Sequence, residues 1–218
     1  ALFETSYLDD SIGERLWSKD DFIEVVKTMR KNNLPVAVHV IGDLASLEVL
    51  EILEAYPPMQ NQHDRLIHCS FLNESFFSKA KEMPIFIDAQ PQFLSSDLPW
   101  GLKELKENPK YIYPWKTILE HKIPMGFGSD APVETPNPLL GIIDAQYRIA
   151  REDSKVYQPE EKLTRYEAID LYTSKANYAT YDLNRGKIKV GHIADFTIFE
   201  ENIMQLSREE LKETKVYM

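Results

Sequence analysis

Val36-Ala37-Val38-His39-Val40-Ile41-Gly42-Asp43-Leu44 begins with six residues rich in β-branched side chains, turns at a glycine and enters an amphipathic stretch. A short apolar run leading straight into a helical period is a strand feeding a helix. Working outward, Leu66 to Cys69 and Ile85 to Ala89 have the same character, and Pro124 to Ser129 is a glycine-rich fourth run. Helical patterns alternate with them. Ser18 precedes Phe22, Val25, Val26 and Met29, with Asn32-Asn33 as the stop before Pro35; Leu44 to Tyr56 follows the first strand. Asn73 caps a third helix ending near Met83-Pro84, and Trp115 to His121 is a shorter one. Strand then helix, repeated with tight connections, predicts parallel βα units with both sheet faces covered, an α/β fold.

Thr164-Arg165-Tyr166-Glu167 is a capping box and predicts a helix from Thr164 to Tyr181. Gly186 to Phe199 alternates around a glycine turn and predicts a β-hairpin; a helical tail from Ser207 to Glu213 and an extended piece from Lys215 to Met218 follow. This pattern divides the chain into 1–181, the βα series, and 182–218, a small β element.

The composition is globular: 218 residues, 43% hydrophobic, 28% charged, net charge -10. No run of Lys and Arg marks a nucleic-acid face, and no apolar stretch approaches the ~18 residues of a membrane span. Cys69 is the only cysteine, which excludes an internal disulfide and the paired-cysteine zinc motifs. The acidity suits a cytoplasmic protein. Ala1-Leu2-Phe3-Glu4-Thr5 has neither a starting Met nor a basic-then-apolar leader, and reads as a cut boundary.

Functional residues of parallel βα folds gather at the C-terminal ends of strands. His39, His68 and Asp130 occupy such ends. Alternation groups Ala37 with His39, Leu66 with His68, and Gly126 and Gly128 with Asp130, the glycines suiting a crowded interior. Two imidazoles and a carboxylate suit a borderline divalent metal such as zinc. The plainer readings stay open: a strand histidine can be a hydrogen-bonded core residue, and Asp130, before Ala131-Pro132, can be a turn residue or cap. Asp43 is read as the cap of the helix from Leu44, Cys69 as a small core residue, and His63, His121 and His192 as solvated. The long connection from Gln90 to Pro114, with Phe93, Trp100 and Tyr113, is the candidate substrate-facing loop.

Taken in order, His39-Val40-Ile41-Gly42-Asp43, Ile67-His68, Gln90-Pro91, Tyr113-Pro114-Trp115 and Gly128-Ser129-Asp130-Ala131-Pro132-Val133 resemble the YtcJ-like branch of the amidohydrolase superfamily, amidohydrolase family 3. Gly186 to Phe199 resembles the return of those proteins to a small β-sandwich domain. The resemblance implies the C-terminal half of a (β/α)₈ TIM-type barrel, strands five to eight. It makes His39 and His68 the metal-binding histidines of strands five and six. It makes Asp130 both a metal ligand and the general base on a metal-activated water, in hydrolysis of the C–N bond of a small amide-like substrate.

The chain departs from the family in one respect: it contains no His-x-His, the pair those enzymes carry on strand one. The resemblance therefore places Ala1 beyond strand four, with the N-terminal half of the barrel as a missing partner. A half-barrel leaves open sheet edges and apolar inner surface, to be covered by forming a homo-oligomer, by pairing with the missing half or by rearranging. With three ligands at most, metal binding should be weak or absent and the isolated piece inactive. The alternative is a non-catalytic regulatory or interaction protein, since some relatives are labelled exoenzyme regulatory proteins.

Overall fold

The computed structural model describes all of residues 1–218. The chain divides into two compact units, 1–89 with 99–125 and 90–98 with 126–218. The sequence boundary at 181/182 falls inside the second.

In the first unit Ser18 accepts the Asp21 N–H at 3.1 Å and opens α1 (Lys19–Lys31). Asp20 and Asp21 in its first turn and Arg30 and Lys31 in its last complement the helix dipole. β1 (Ala37–Val40) follows, then α2 (Asp43–Ala55). Here the cap is Gly42 rather than Asp43. Gly42 has φ +99°, and a Cβ there would stand 2.1 Å from the Leu2 carbonyl oxygen, so a side chain does not fit. Asp43 Oδ1 instead receives the N–H groups of Glu4 at 2.9 Å and Leu44 at 2.8 Å, tying the N-terminal segment to the helix start.

β2 (Asp64–His68) pairs in parallel with β1 on one side and with β4 (Ile85–Ala89) on the other. With β6 (Met125–Phe127) the sheet order is β1-β2-β4-β6, the four strands the apolar runs predict. Asn73 caps α3 (Glu74–Ala80), as expected, and α6 (Trp115–Glu120) is also present. Val40, Leu66, Ile85 and Ile87 from the strands are buried, as are Leu50, Leu53, Phe76 and Phe77 from the helices. Burying each such side chain is worth about 1.5–3 kcal/mol, so the sheet holds its helices by apolar area.

The stretch from Gln90 to Pro114 is not one long loop. It contains α4 (Gln92–Asp97), α5 (Trp100–Lys103) and β5 (Tyr111–Ile112), and β5 pairs antiparallel with β3 (Phe71–Leu72). Tyr113 is buried, its ring 5.9 Å from Phe71 and 5.7 Å from Trp115, so it is a packing residue rather than part of a substrate wall.

One buried ion pair ties α1 to the sheet. Asp64, 1% exposed, accepts Arg30 Nη2 at 2.5 Å and the Val36 N–H at 2.8 Å. Burial raises the Asp64 pKa above the ordinary carboxylate value, outweighing the Val36 and Arg30 bonds that oppose it. Removing one partner strands the other, so Asp64→Ala should cost about 3 kcal/mol. A lower urea midpoint at unchanged m-value is the expected reading.

In the second unit α7 (Pro138–Tyr147) packs with α4, α8 (Arg165–Tyr172) and α9 (Arg208–Glu213). Both α8 and α9 open with complete capping boxes, at Thr164 and Ser207. The helix expected from Thr164 to Tyr181 ends early, at Tyr172, and a 3₁₀ turn spans Ala176–Thr180. Ser174 donates to the Asp170 carboxylate and Asn177 to the Thr173 carbonyl, local bonds that compete with continued helix.

The hairpin expected over Gly186 to Phe199 is corrected. A turn forms, with the His192 N–H on the Lys189 carbonyl, but no ladder flanks it. Ile188 and Val190 are 92% and 101% exposed. Two strands with no apolar surface to cover are marginal at best, which accounts for the missing ladder. The end of the segment pairs instead with the C-terminal piece: Phe199 bridges Val216, and the Ile198 N–H meets the Met218 carbonyl at 2.7 Å.

Candidate metal centre

His39 and His68 end neighbouring strands, and their ring centroids are 4.5 Å apart at an interplanar angle of 75°. Alternation alone does not bring them together. The register pairs His39 with Ile67 and Val40 with His68, so a regular β2 would send the two imidazoles to opposite faces of the sheet. Ala37, His39, Arg65, Ile67 and Asp88 share the more open face, together with the buried Phe86, while Val40, Leu66 and Ile87 on the other face are buried. The register thus keeps Leu66 with His68, on the face opposite Ala37 and His39, and alternation by itself does not make the two histidines converge.

His68 departs from regular strand geometry at φ +78°, and Cys69 follows at φ +52°. A left-handed backbone at a non-glycine residue costs about 1–2 kcal/mol and persists where surrounding structure enforces it. Here it turns the His68 ring toward His39. His39 is exposed and shares a cavity of about 500 Å³ with Leu16, Trp17, Phe22 and Ala37. Arg65 and Asp88, on the same face, form a two-pronged ion pair at 2.8 and 2.7 Å. A single strand's sequence does not reveal that pair, because its register is a property of the sheet.

Asp130 belongs to the second unit and is exposed, in a turn where the Val133 N–H donates to its carbonyl at 2.9 Å. It too is left-handed, at φ +55°. The neighbouring Gly128 does not face a crowded wall, since a Cβ there would meet no atom within 4 Å. The structure gathers no group of three or more His, Cys, Asp or Glu side chains able to hold a metal ion. What it supplies is an imidazole pair, the donor chemistry zinc and similar ions take from proteins.

The remaining candidates have structural surroundings. His63 is buried beside Phe86, at 5.8 Å between centroids, rather than solvated, and His121 stacks on Phe77 at 5.0 Å. Cys69 is buried, and desolvation pushes its thiol pKa up, which leaves it a packing residue.

A parallel α/β sheet with polar side chains at its strand ends is the frame of barrel-type hydrolases. The model of the amidohydrolase family matches residues 1–218, and the chain belongs to that family, in its YtcJ-like branch. It is 38% identical over 227 residues to the putative amidohydrolase YtcJ of Bacillus subtilis (strain 168), covering 99% of this chain and 43% of that protein. Among solved structures it resembles an uncharacterized metal-dependent hydrolase from Pyrococcus horikoshii OT3 (TM-score 0.83, 25% identity, 96% of this chain and 43% of that one). It also resembles an uncharacterized metal-dependent hydrolase from Pyrococcus furiosus (TM-score 0.72, 30% identity, 86% and 38%). The chain thus spans less than half the length of these relatives. No helix is long and apolar enough to cross a membrane.

Proposed function

We propose that this chain supplies His39, His68 and Asp130 to the active site of a metal-dependent amidohydrolase that cleaves the C–N bond of small amide-like substrates. The observation that carries this reading is the His39–His68 pair, brought to 4.5 Å by a left-handed residue where regular alternation would have separated the rings. Strain of this kind has a reason if both imidazoles serve one ion.

His39 and His68 would hold a divalent cation, with zinc the ion that best suits two imidazoles and a carboxylate. When bound, such an ion lowers the pKa of water to about 7 and so supplies a nucleophile at neutral pH. Asp130 accepts a proton on its carboxylate and returns it to the departing amine nitrogen, which otherwise leaves as a poor anion. Arg65 and Asp88 cross-tie β2 and β4 and hold the strand that ends in His68. We place the remaining ligands outside these 218 residues, because the chain has no His-x-His. Alone, it should hold zinc weakly and turn over no substrate.

The test compares the full gene product with its Asp130→Asn variant on a panel of simple amides, with bound metal measured alongside. The expected result is chelator-sensitive hydrolysis that falls about 10²-fold or more in the variant. Undiminished hydrolysis by Asp130→Asn, or hydrolysis indifferent to chelator, would overturn the assignment.

A further inference from the structure

Asp144 sits on α7 among the apolar side chains of Leu139, Ile142 and Ile143, yet is an acid only 9% exposed. Its Oδ2 lies 2.7 Å from Ser95 Oγ, which also lies 3.0 Å from the Gln92 carbonyl. A hydroxyl has one proton and cannot donate to both. Ser95 donates to the ionised carboxylate, whereas a protonated Asp144 can itself donate to Ser95 and free that hydroxyl for the Gln92 carbonyl. Asp144 Oδ1 has no protein donor and is not among the enclosed polar atoms lacking a partner, so it faces the cavity that Asp144 lines.

That cavity has a volume of about 650 Å³, within the range of small-molecule sites. Glu134, also 9% exposed, lines it; Oε2 pairs with Arg151 at 3.1 Å and Oε1 has no protein donor. Leu140, Ile143 and Ile149 provide apolar lining, and α9 contributes Arg208, Lys212 and Glu209, the last 3.7 Å from Arg208. A bare cation would leave the apolar lining uncovered, and an anion alone would meet three carboxyl groups. The arrangement calls for a molecule with both charges and an aliphatic body.

We propose that this cavity binds a small aliphatic amino acid, its ammonium on Asp144 and Glu134 and its carboxylate toward Arg208 and Lys212. Proton linkage supports it. Desolvation, aided by the Glu134 charge and opposed by Ser95, Arg151 and Arg208, pushes Asp144 up to about 7. From α8, Tyr172 also faces the acid, and its own pKa is raised by burial first and by Asp144 second. A ligand ammonium favours the ionised carboxylate, so binding should release a proton at pH values just below neutral.

Calorimetry of the full chain with leucine, isopentylamine and isovalerate tests this, run in two buffers of different ionisation enthalpy. Leucine should bind at least about tenfold more tightly than either half-ligand. Proton release should accompany it, and Asp144→Asn should weaken it by a similar factor. Asn keeps the Ser95 bond, so circular dichroism should show that variant folded; Lys212→Ala, on the exposed side of α9, is a second variant that should lose carboxylate affinity. No heat with millimolar leucine would overturn the proposal. So would isopentylamine binding as tightly as leucine, or leucine affinity unchanged in both variants.

Discussion

At pH 8 the Asp144→Asn chain should be more stable than wild type by about 4 kcal/mol, and at pH 4 the two should nearly coincide. Asp144 titrates near 7 in the folded chain, chiefly through desolvation, against an ordinary value of about 4. Between those values the folded chain holds one proton that the unfolded chain has lost. Stability therefore falls as pH rises through this window, by about 1.4 kcal/mol per unit for this group. Below the window both states are protonated; above it both are ionised and the penalty is complete. Asparagine copies the neutral acid: its amide donates to Ser95 and does not titrate. Urea unfolding of both chains from pH 4 to pH 8 measures the gap, and a gap that does not change with pH would show that Asp144 is not held neutral in the fold.

The second large effect is expected from His68→Gly. Glycine takes φ +78° without a Cβ penalty, so the backbone strain at this position disappears while the imidazole is lost. If His68 were only a core residue, the cavity left by its ring would destabilise the chain by about 2 kcal/mol or more. If it is kept in place to bind metal, zinc affinity of the full gene product should fall about 100-fold while stability changes by less than about 1 kcal/mol. Zinc competition titration and thermal unfolding of the same preparation read both quantities. A large loss of stability with zinc affinity intact would assign His68 to packing.

The four parallel strands and their helices were legible because each apolar run has a length, β-branching and a glycine or proline boundary that few other arrangements accommodate. Ser18, Asn73 and Thr164 were legible as caps for the same local reason. The antiparallel pair β3–β5 was not, because two residues on each side leave no alternation to detect. The alternation over Gly186 to Phe199 is real, but Ile188 and Val190 cover nothing in this chain, so it makes no hairpin. Site positions were legible as residues and not as geometry. His39 and His68 stand out at strand ends, but the rule of alternation assigns His68 to the wrong face, and the backbone turn that corrects it depends on tertiary structure. Asp144 gave no signal, since an acid within a helix reads as a solvated face until its partners are seen.

In the proposed centre His39 and His68 share one ion. X-ray absorption at the zinc edge, on the zinc-loaded gene product and its His39→Ala and His68→Gly variants, tests it most directly. Imidazole nitrogens are expected at about 2.0–2.1 Å in the wild type, one fewer in each single variant, with loss of the site in the double variant. An unchanged ligand shell and unchanged zinc content in the double variant would contradict it.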